Sequence, residues 1–343
     1  MPAFFNRCIS DSDQSPRLVC EPGSDPAPGV IRIGLLNNMP DGALEATERQ
    51  FLALLNASAG TLNVSVCRYA LPDVPRTEAG QRYLGQYYRG LDDLLTSRLD
   101  GLIVTGSEPR HSNLTEEPYW KSLTQVIDWA ERNTYSTVWS CLAAHAAIFH
   151  IDGIRRHRLR RKRFGVFNCA RVSNHHLTAH IPPVISVPHS RWNDIRACDI
   201  TGRGYEILTR ANGSSVDALV KQRKSLFVFF QGHPEYEVNT LLLEYRRDVG
   251  RYVRKERETY PLLPRNYFTR EMLGILAGLG EQILSERREE LLAEFTNAFA
   301  LELTIANTWG STGARIYGNW LSHLHTEKMR NLKPRRGWKD SAA

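Results

Sequence analysis

Short apolar runs separated by helix-length amphipathic stretches constrain this chain more than anything else in it. The runs are residues 31–36 (IRIGLL), 62–70, 102–105 (LIVT), 136–140 (STVWS), 184–187, 207–209, 218–220 and 226–230 (LFVFF). Each has strand length and ends at a turn former or a polar residue. Between the first four lie helical patterns at 43–55, with Asp41 as its expected cap, 91–99 and 119–132, and another starts at 141–150. Strands alternating with helices predict an α/β fold, a doubly wound and mostly parallel sheet with helices on both faces.

Three segments fall outside that pattern. Residues 1–29 mix Pro, Ser, Asp and Gly without periodicity and read as a flexible arm. Residues 30–325 read as one domain, and 326–343 as a basic flexible tail. Within the domain, about 270–306 reads as a helical insertion, one long helix or a hairpin, with an apolar stripe of Leu273, Leu276, Leu279, Ile283, Leu291, Phe295, Phe299 and Leu303. Packing on the core is the favoured use of that stripe, and a homodimer contact is the alternative.

Composition narrows the class. The cysteines at 8, 20, 67, 141, 169 and 198 are scattered and form no CxxC pair, so reduced thiols in a cytoplasmic protein are expected and no metal site is read. No apolar run approaches a membrane span, and Met1–Cys20 has no signal-peptide pattern. The net charge of +7 is concentrated in RRHRLRRKR (155–163) and again near 328–339. Such a run is commonly a solvated face or a mobile arm, with the phosphates of a ligand such as coenzyme A as the functional reading. No zinc-finger spacing or aromatic–basic interleaving points to nucleic acid.

Chemistry concentrates at two strand ends. STVWS runs directly into Cys141-LAAHAAIF, so the cysteine stands at a strand–helix junction. A tight turn there exposes the sulfur at the carboxyl edge of the sheet, and the helix N-terminus offers amides to a thiolate or an oxyanion. An ordinary buried cysteine is the competing reading. His145, one helical turn on, reads as a packing residue before a partner of the sulfur. LFVFF is followed by Gln231, Gly232, His233, Pro234 and Glu235. A His just beyond a strand end can reach a nucleophile on the neighbouring strand, and Glu235 can take its other ring N–H and set the tautomer. In isolation His-Pro-Glu would be an exposed turn; the cysteine elbow raises its interest.

Taken together, NNMP (37–40), ERQF (48–51), DGLIVTG (100–106), EEPYW (116–120), the Cys141 elbow, FGVF (164–167), VPHSRW (187–192), GHPEY (232–236), YRRDV (245–249), PRNYF (264–268) and GNWL (318–321) resemble the homoserine O-succinyltransferase family. The resemblance implies a class I glutamine amidotransferase-like fold and a ping-pong acyl transfer in methionine biosynthesis. Cys141 would take a succinyl group from succinyl-CoA as a thioester, and L-homoserine would accept it on its hydroxyl. His233 would be the base and Glu235 its orienter. It also implies acceptor-binding roles for Lys162, Ser190 and Arg247, and puts the acyl-selecting position on Arg110. No permanently bound cofactor is expected; acyl-CoA enters as co-substrate. Asp41 and Gly42 stand where relatives usually carry a lysine pair, so the oxyanion would depend on backbone amides or another cation. The alternatives are a same-fold enzyme for another acyl-CoA or acceptor, a glutamine amidotransferase, and a binding protein. Trp139, Ser140, Leu142 and Ala143 around the cysteine lack the glycines of an amidotransferase elbow, and a binding protein would need a lost triad member.

Overall fold

The computed structural model describes residues 18–19, 29–211, 215–294 and 305–332. In chain order its first half contains β1 (Leu18–Val19), β2 (Ile31–Leu36), α1 (Asp41–Ser58), β3 (Val64–Tyr69), α2 (Glu78–Tyr87), α3 (Leu91–Thr96), β4 (Gly101–Val104), α4 (Trp120–Asn133), β5 (Ser136–Ser140) and α5 (Leu142–Asp152). The second half contains β6 (His157–Arg171), β7 (Val184–Asp194), α6 (Ala197–Ile200), β8 (Tyr205–Ala211), β9 (Val216–Gln222), β10 (Leu226–Phe230), α7 (Thr240–Val253), α8 (Arg270–Glu286) and α9 (Gly310–Leu332). The strands form a ten-stranded sheet in the order β1-β3-β2-β4-β5-β10-β9-β8-β6-β7. Neighbours from β1 to β10 run parallel. Those from β10 to β7 run antiparallel.

Alternation in the central strands divides the interior into two layers. Leu36, Val104, Trp139, Phe227 and Phe229 enter the layer under α3, α4 and α5. Ile33, Leu35, Ile103, Val138, Val228 and Phe230 enter the layer under α1 and α9. Gly101 lets α9 come close, because a Cβ there would stand 2.6 Å from Leu324 Cδ1. Nearby, Trp320 Nε1 donates to Ser136 Oγ at 2.9 Å, and Lys328 Nζ to Asp100 Oδ2 at 2.8 Å. The supposed tail is therefore helical as far as Leu332, and its lysine ties the helix to the sheet.

Several expectations need correction. α1 has no side-chain cap; Asp41 is its first residue, and its carboxylate instead accepts from Thr77 N and Oγ1 at 2.7 Å and from Arg76. Burial alone would raise its pKa, but those bonds outweigh burial and hold it low. Within the supposed arm, Leu18–Val19 pairs with Val64 and Ser65. The basic run is no arm either: from His157 onward it forms the first part of the fifteen-residue β6. In 270–306, α8 stops at Glu286, where Arg287 turns at φ 45°. Met272, Leu276, Ile283 and Leu291 join Phe164, Tyr245, Val249 and Trp309 in a third core over the antiparallel half. Leu273 is exposed, and Phe295, Phe299 and Leu303 lie outside the described residues.

That third core depends on one close backbone approach. Gly165 has φ +131°, and a Cβ there would lie 2.3 Å from the backbone N and O of Arg265. Arg265 N donates to Phe164 O, and Val166 N to Arg265 O, at 3.0 and 2.9 Å. Gly165→Ala should therefore cost roughly 2–4 kcal/mol through strain and lost backbone bonds. Urea unfolding checks this, and a midpoint like that of wild type would show that the segment can shift aside.

Candidate active site

β5 ends at Ser140 and α5 begins at Leu142, leaving Cys141 between them at φ 52° and ψ −109°. A non-glycine residue holds such a conformation only when its surroundings impose it. Cys141 N donates to Phe230 O at 2.7 Å, which ties the turn to the end of β10. On the other side Gly106 presses on the elbow; a Cβ there would stand 3.1 Å from Leu142 N. The sulfur is half-buried at the strand end. The leading amides of α5 lie beside it without intrahelical acceptors, as an oxyanion requires.

β10 runs parallel to β5 with Phe230 opposite Ser140, so the chain after Phe230 emerges beside the nucleophile. His233 N donates to Pro188 O at 2.8 Å, fixing the turn against β7. His233 Nδ1 meets Glu235 Oε1 at 2.8 Å, and Ser140 Oγ donates to the same oxygen at 3.3 Å. With Nδ1 so engaged, Nε2 is left buried and unpaired among the described residues. Burial would lower the ring's pKa, but Glu235 first and then Cys141 outweigh it and raise it well above the ordinary imidazole value. The Tyr236 ring stacks on His233 at 4.2 Å. Cys141, His233 and Glu235 are thus brought together as expected.

Lys162, Ser190 and Arg247 also converge, around acids that sequence reading missed. Ser190 Oγ and Lys162 Nζ reach Glu244 Oε2 at 2.5 and 3.3 Å, and Tyr236 OH donates to Glu244 Oε1 at 2.6 Å. Arg247 NH2 lies 2.9 Å from Asp248 Oδ1, and Lys162 Nζ 3.5 Å from Asp248 Oδ2. Burial would raise both acids; Lys162 leads the groups that hold them low instead. The signal was available: Glu244, Arg247 and Asp248 stand at i, i+3 and i+4, one face of a helix. Tyr236 joins this cluster to His233.

Other candidates sit elsewhere. Arg110 is exposed, and its backbone N–H points inward, to Glu117 Oε1 at 2.8 Å. His145 Nε2 is bonded to Gln231 Oε1 at 2.8 Å, a packing role, and burial lowers its pKa to about 4. Cys169, His189 and Asp217 offer ligand atoms within 4.8 Å of one another. Arg191 Nε donates to His189 Nδ1 at 3.2 Å, which assigns the ring proton to Nε2, facing Asp217 Oδ1 at 3.4 Å. Burial also pushes the Cys169 thiol far up, so the trio suits a hydrogen-bonded prop better than a metal.

A cysteine on a strained elbow, facing a histidine held by a carboxylate, defines the class of cysteine enzymes that transfer or hydrolyse acyl groups. The family model for homoserine O-succinyltransferase matches residues 27–330. The chain is 44% identical over 306 residues to the homoserine O-succinyltransferase of Rhodopseudomonas palustris, covering 89% of this chain and 92% of that protein. It is 41% identical to that of Bradyrhizobium japonicum, covering 87% and 91%. A glutamine amido transferase from Methylobacillus flagellatus is similar in structure, with TM-score 0.48 and 12% identity over 92% of this chain and 99% of that one. The chain belongs to the homoserine O-succinyltransferase family and is an acyltransferase. Among the described residues, no helix is long and apolar enough to cross a membrane.

The raised His233 pKa has a sign that can be checked. A ring whose folded value lies above its unfolded one stabilises the fold fully below about pH 6.5, and that contribution is lost as pH rises through the folded value. The stability difference between wild type and Glu235→Gln should therefore be widest near pH 6 and narrow at alkaline pH. A difference that widens with pH would mean that the ring is neutral in the free enzyme.

Proposed function

We propose that this chain moves a succinyl group from succinyl-CoA to the hydroxyl of L-homoserine through a thioester on Cys141, a step toward methionine in the cytoplasm. The observation that carries the reading is the junction of two sites at Tyr236: its ring stacks on His233 and its hydroxyl donates to Glu244. One side offers a nucleophile and a base. The other offers paired charges, Lys162 and Arg247 beside Glu244 and Asp248, that match an amino acid's carboxylate and ammonium.

In the first half-reaction the Cys141 sulfur attacks the acyl carbon, and the α5 amides hold the oxyanion. The bond to the coenzyme A sulfur breaks, and the leaving thiolate takes the proton from the His233 imidazolium. In the second, homoserine's hydroxyl gives its proton to His233 Nε2 as its oxygen attacks the thioester. The ester bond forms and Cys141 leaves as thiolate. Glu235 keeps the ring in the tautomer both steps need. Arg247 would bind the acceptor's carboxylate and Glu244 its ammonium, with Lys162 and Ser190 holding Glu244 in place.

Cys141→Ala should abolish both the acyl adduct, read by intact mass after incubation with succinyl-CoA, and product formation. Full turnover by that variant would remove the central claim. His233→Ala should lose roughly 10³-fold or more in kcat, with Glu235→Gln losing less because the ring remains. A harsher loss in the Glu235 variant would reverse the assigned roles.

Arg247→Met separates the two halves of the site. The KM for homoserine should rise about 10- to 100-fold, the worth of a charge-assisted pair, while Cys141 still acylates at the wild-type rate. Rapid-quench acylation and steady-state kinetics together measure this. Slowed acylation with an unchanged KM would place Arg247 on the coenzyme side.

A further inference from the structure

A dicarboxylic acyl group differs from a neutral one of equal length by a single charge. Selecting it needs a cation that is near the nucleophile, partly desolvated and not already paired. Most nearby cations fail one condition. Arg110 is exposed. Arg76 is engaged by Asp41 and by the carbonyls of Met39 and Asn37. Lys162 and Arg247 are held by Glu244 and Asp248.

We propose that Arg156, just before β6, is the cation of the acyl pocket and binds the distal carboxylate of a dicarboxylic acyl group carried on Cys141. The proposal rests on the reading of Cys141 as acyl carrier. Arg156 NH2 donates to the carbonyls of His111 and Ser112, at 3.3 and 3.1 Å, which turns the half-buried guanidinium back under the loop after β4. Its NH1 is buried and has no partner among the described residues. Tyr119 OH is likewise buried and unpaired there. Tyr119, Ser107, Leu114, Leu142 and Ala143 line one small cleft that begins at the residue after the nucleophile. Tyr119 lines this cleft and Arg156 lies within electrostatic reach of Tyr119, so both unsatisfied donors stand beside it; such donors are costly unless a ligand completes them, and a carboxylate would accept from both.

Electrostatics agree with that placement. Burial first lowers the Arg156 pKa, and the groups that counter it are Tyr119, Glu117 and Cys141, so the guanidinium lies within electrostatic reach of all three. Glu117 Oε1 is occupied by the backbone N–H groups of Arg110 and His111, both at 2.8 Å. It shapes the loop and supplies a counter-charge at longer range than an ion pair to a guanidinium that stays charged throughout. The position expected to select the acyl group, Arg110, thus contributes its backbone to the loop, and the selecting charge comes from Arg156 held under that loop.

The test uses the full chain with succinyl-CoA and with butyryl-CoA, which replaces the distal carboxylate by a methyl group. Arg156→Met should lower kcat/KM for succinyl-CoA about 10- to 100-fold, as expected for one or two charge-assisted hydrogen bonds, and leave butyryl-CoA unchanged or improved. Arg156→Lys should keep part of the preference, and Arg110→Ala should keep all of it. An unchanged ratio in Arg156→Met overturns the proposal, and so does an equal loss with both donors, which a contact to a coenzyme A phosphate or a folding defect would give. A ratio that collapses in Arg110→Ala overturns it as well. Intact mass of the same wild-type samples keeps the two readings apart: absence of any acyl adduct defeats the thioester mechanism itself, whereas adducts with an unchanged ratio defeat Arg156 alone.

Discussion

The hydrogen bond from Cys141 N to Phe230 O, 2.7 Å long, is where the site is assembled. It closes the parallel pairing of β5 with β10, whose register sets Ser140 opposite Phe230. Everything after those residues inherits the alignment: the sulfur follows one strand and His233 the other. A slip of one residue would send Trp139 and Phe229 into the opposite layer and turn the apolar faces of both strands around, so the packing that stabilises the sheet also holds nucleophile and base in register. The strain at Cys141 persists because this bond, the close approach of Gly106 and the first turn of α5 all act on the same peptide.

Behind His233 the support is polar and fully enclosed. Asp217 accepts from Thr209 Oγ1 at 2.7 Å and lies against Gly232, the residue that precedes the base. Gly232 cannot carry a side chain, since a Cβ would lie 2.5 Å from Asp217 Oδ1. Gln231 binds His145 of α5, Ile195 of the loop after β7 and Val216 of β9. The helix behind the nucleophile and the strands behind the base are therefore cross-linked through one amide. This accounts for the GHPEY and PHSRW motifs in physical terms: His233, Glu235, Tyr236 and Ser190 meet at the candidate site, and their neighbours hold the turn.

What the sequence made legible follows the apolar signal. Strands buried on both faces, such as Ile31–Leu36 and Leu226–Phe230, were placed with their observed bounds, because continuous apolar runs have few alternatives. β6 was missed because its first half is basic; it is stabilised by pairing with β7 and by stacking, with Arg158 over Trp192 at 4.4 Å and Lys162 over Phe164 at 4.1 Å. Hydrophobic periodicity is blind to such a strand. Asp41 failed as a cap because Thr77 and Arg76 offered its carboxylate more donors than the helix did. Glu244 gave no apolar signal, because an acid on a helix carries no hydrophobic periodicity of its own; its role comes from Ser190, Tyr236 and Lys162, which share it from other elements. The triad was legible for the opposite reason: its members each sit within five residues of a well-marked strand end, so local sequence carried the long-range geometry.

The uneven charge of the chain finds its use in the irregularity of that same strand. Arg158 pairs with Asn193 and Arg163 with Arg191, so residues 159–162 stand opposite Trp192 alone. A bulge of this size breaks the alternation of a strand and re-aims its side chains. Before it, Arg156 reaches back toward the loop after β4. At its end, Lys162 is delivered to Glu244 and Asp248 on α7. An unbroken strand would keep residues six apart on one face, whereas the bulge lets Arg156 and Lys162 reach different elements. The basic run is thus a strand and its lead-in whose cations the bulge distributes, Lys162 to acids of another element and Arg156 to the loop after β4, rather than an even face of charge.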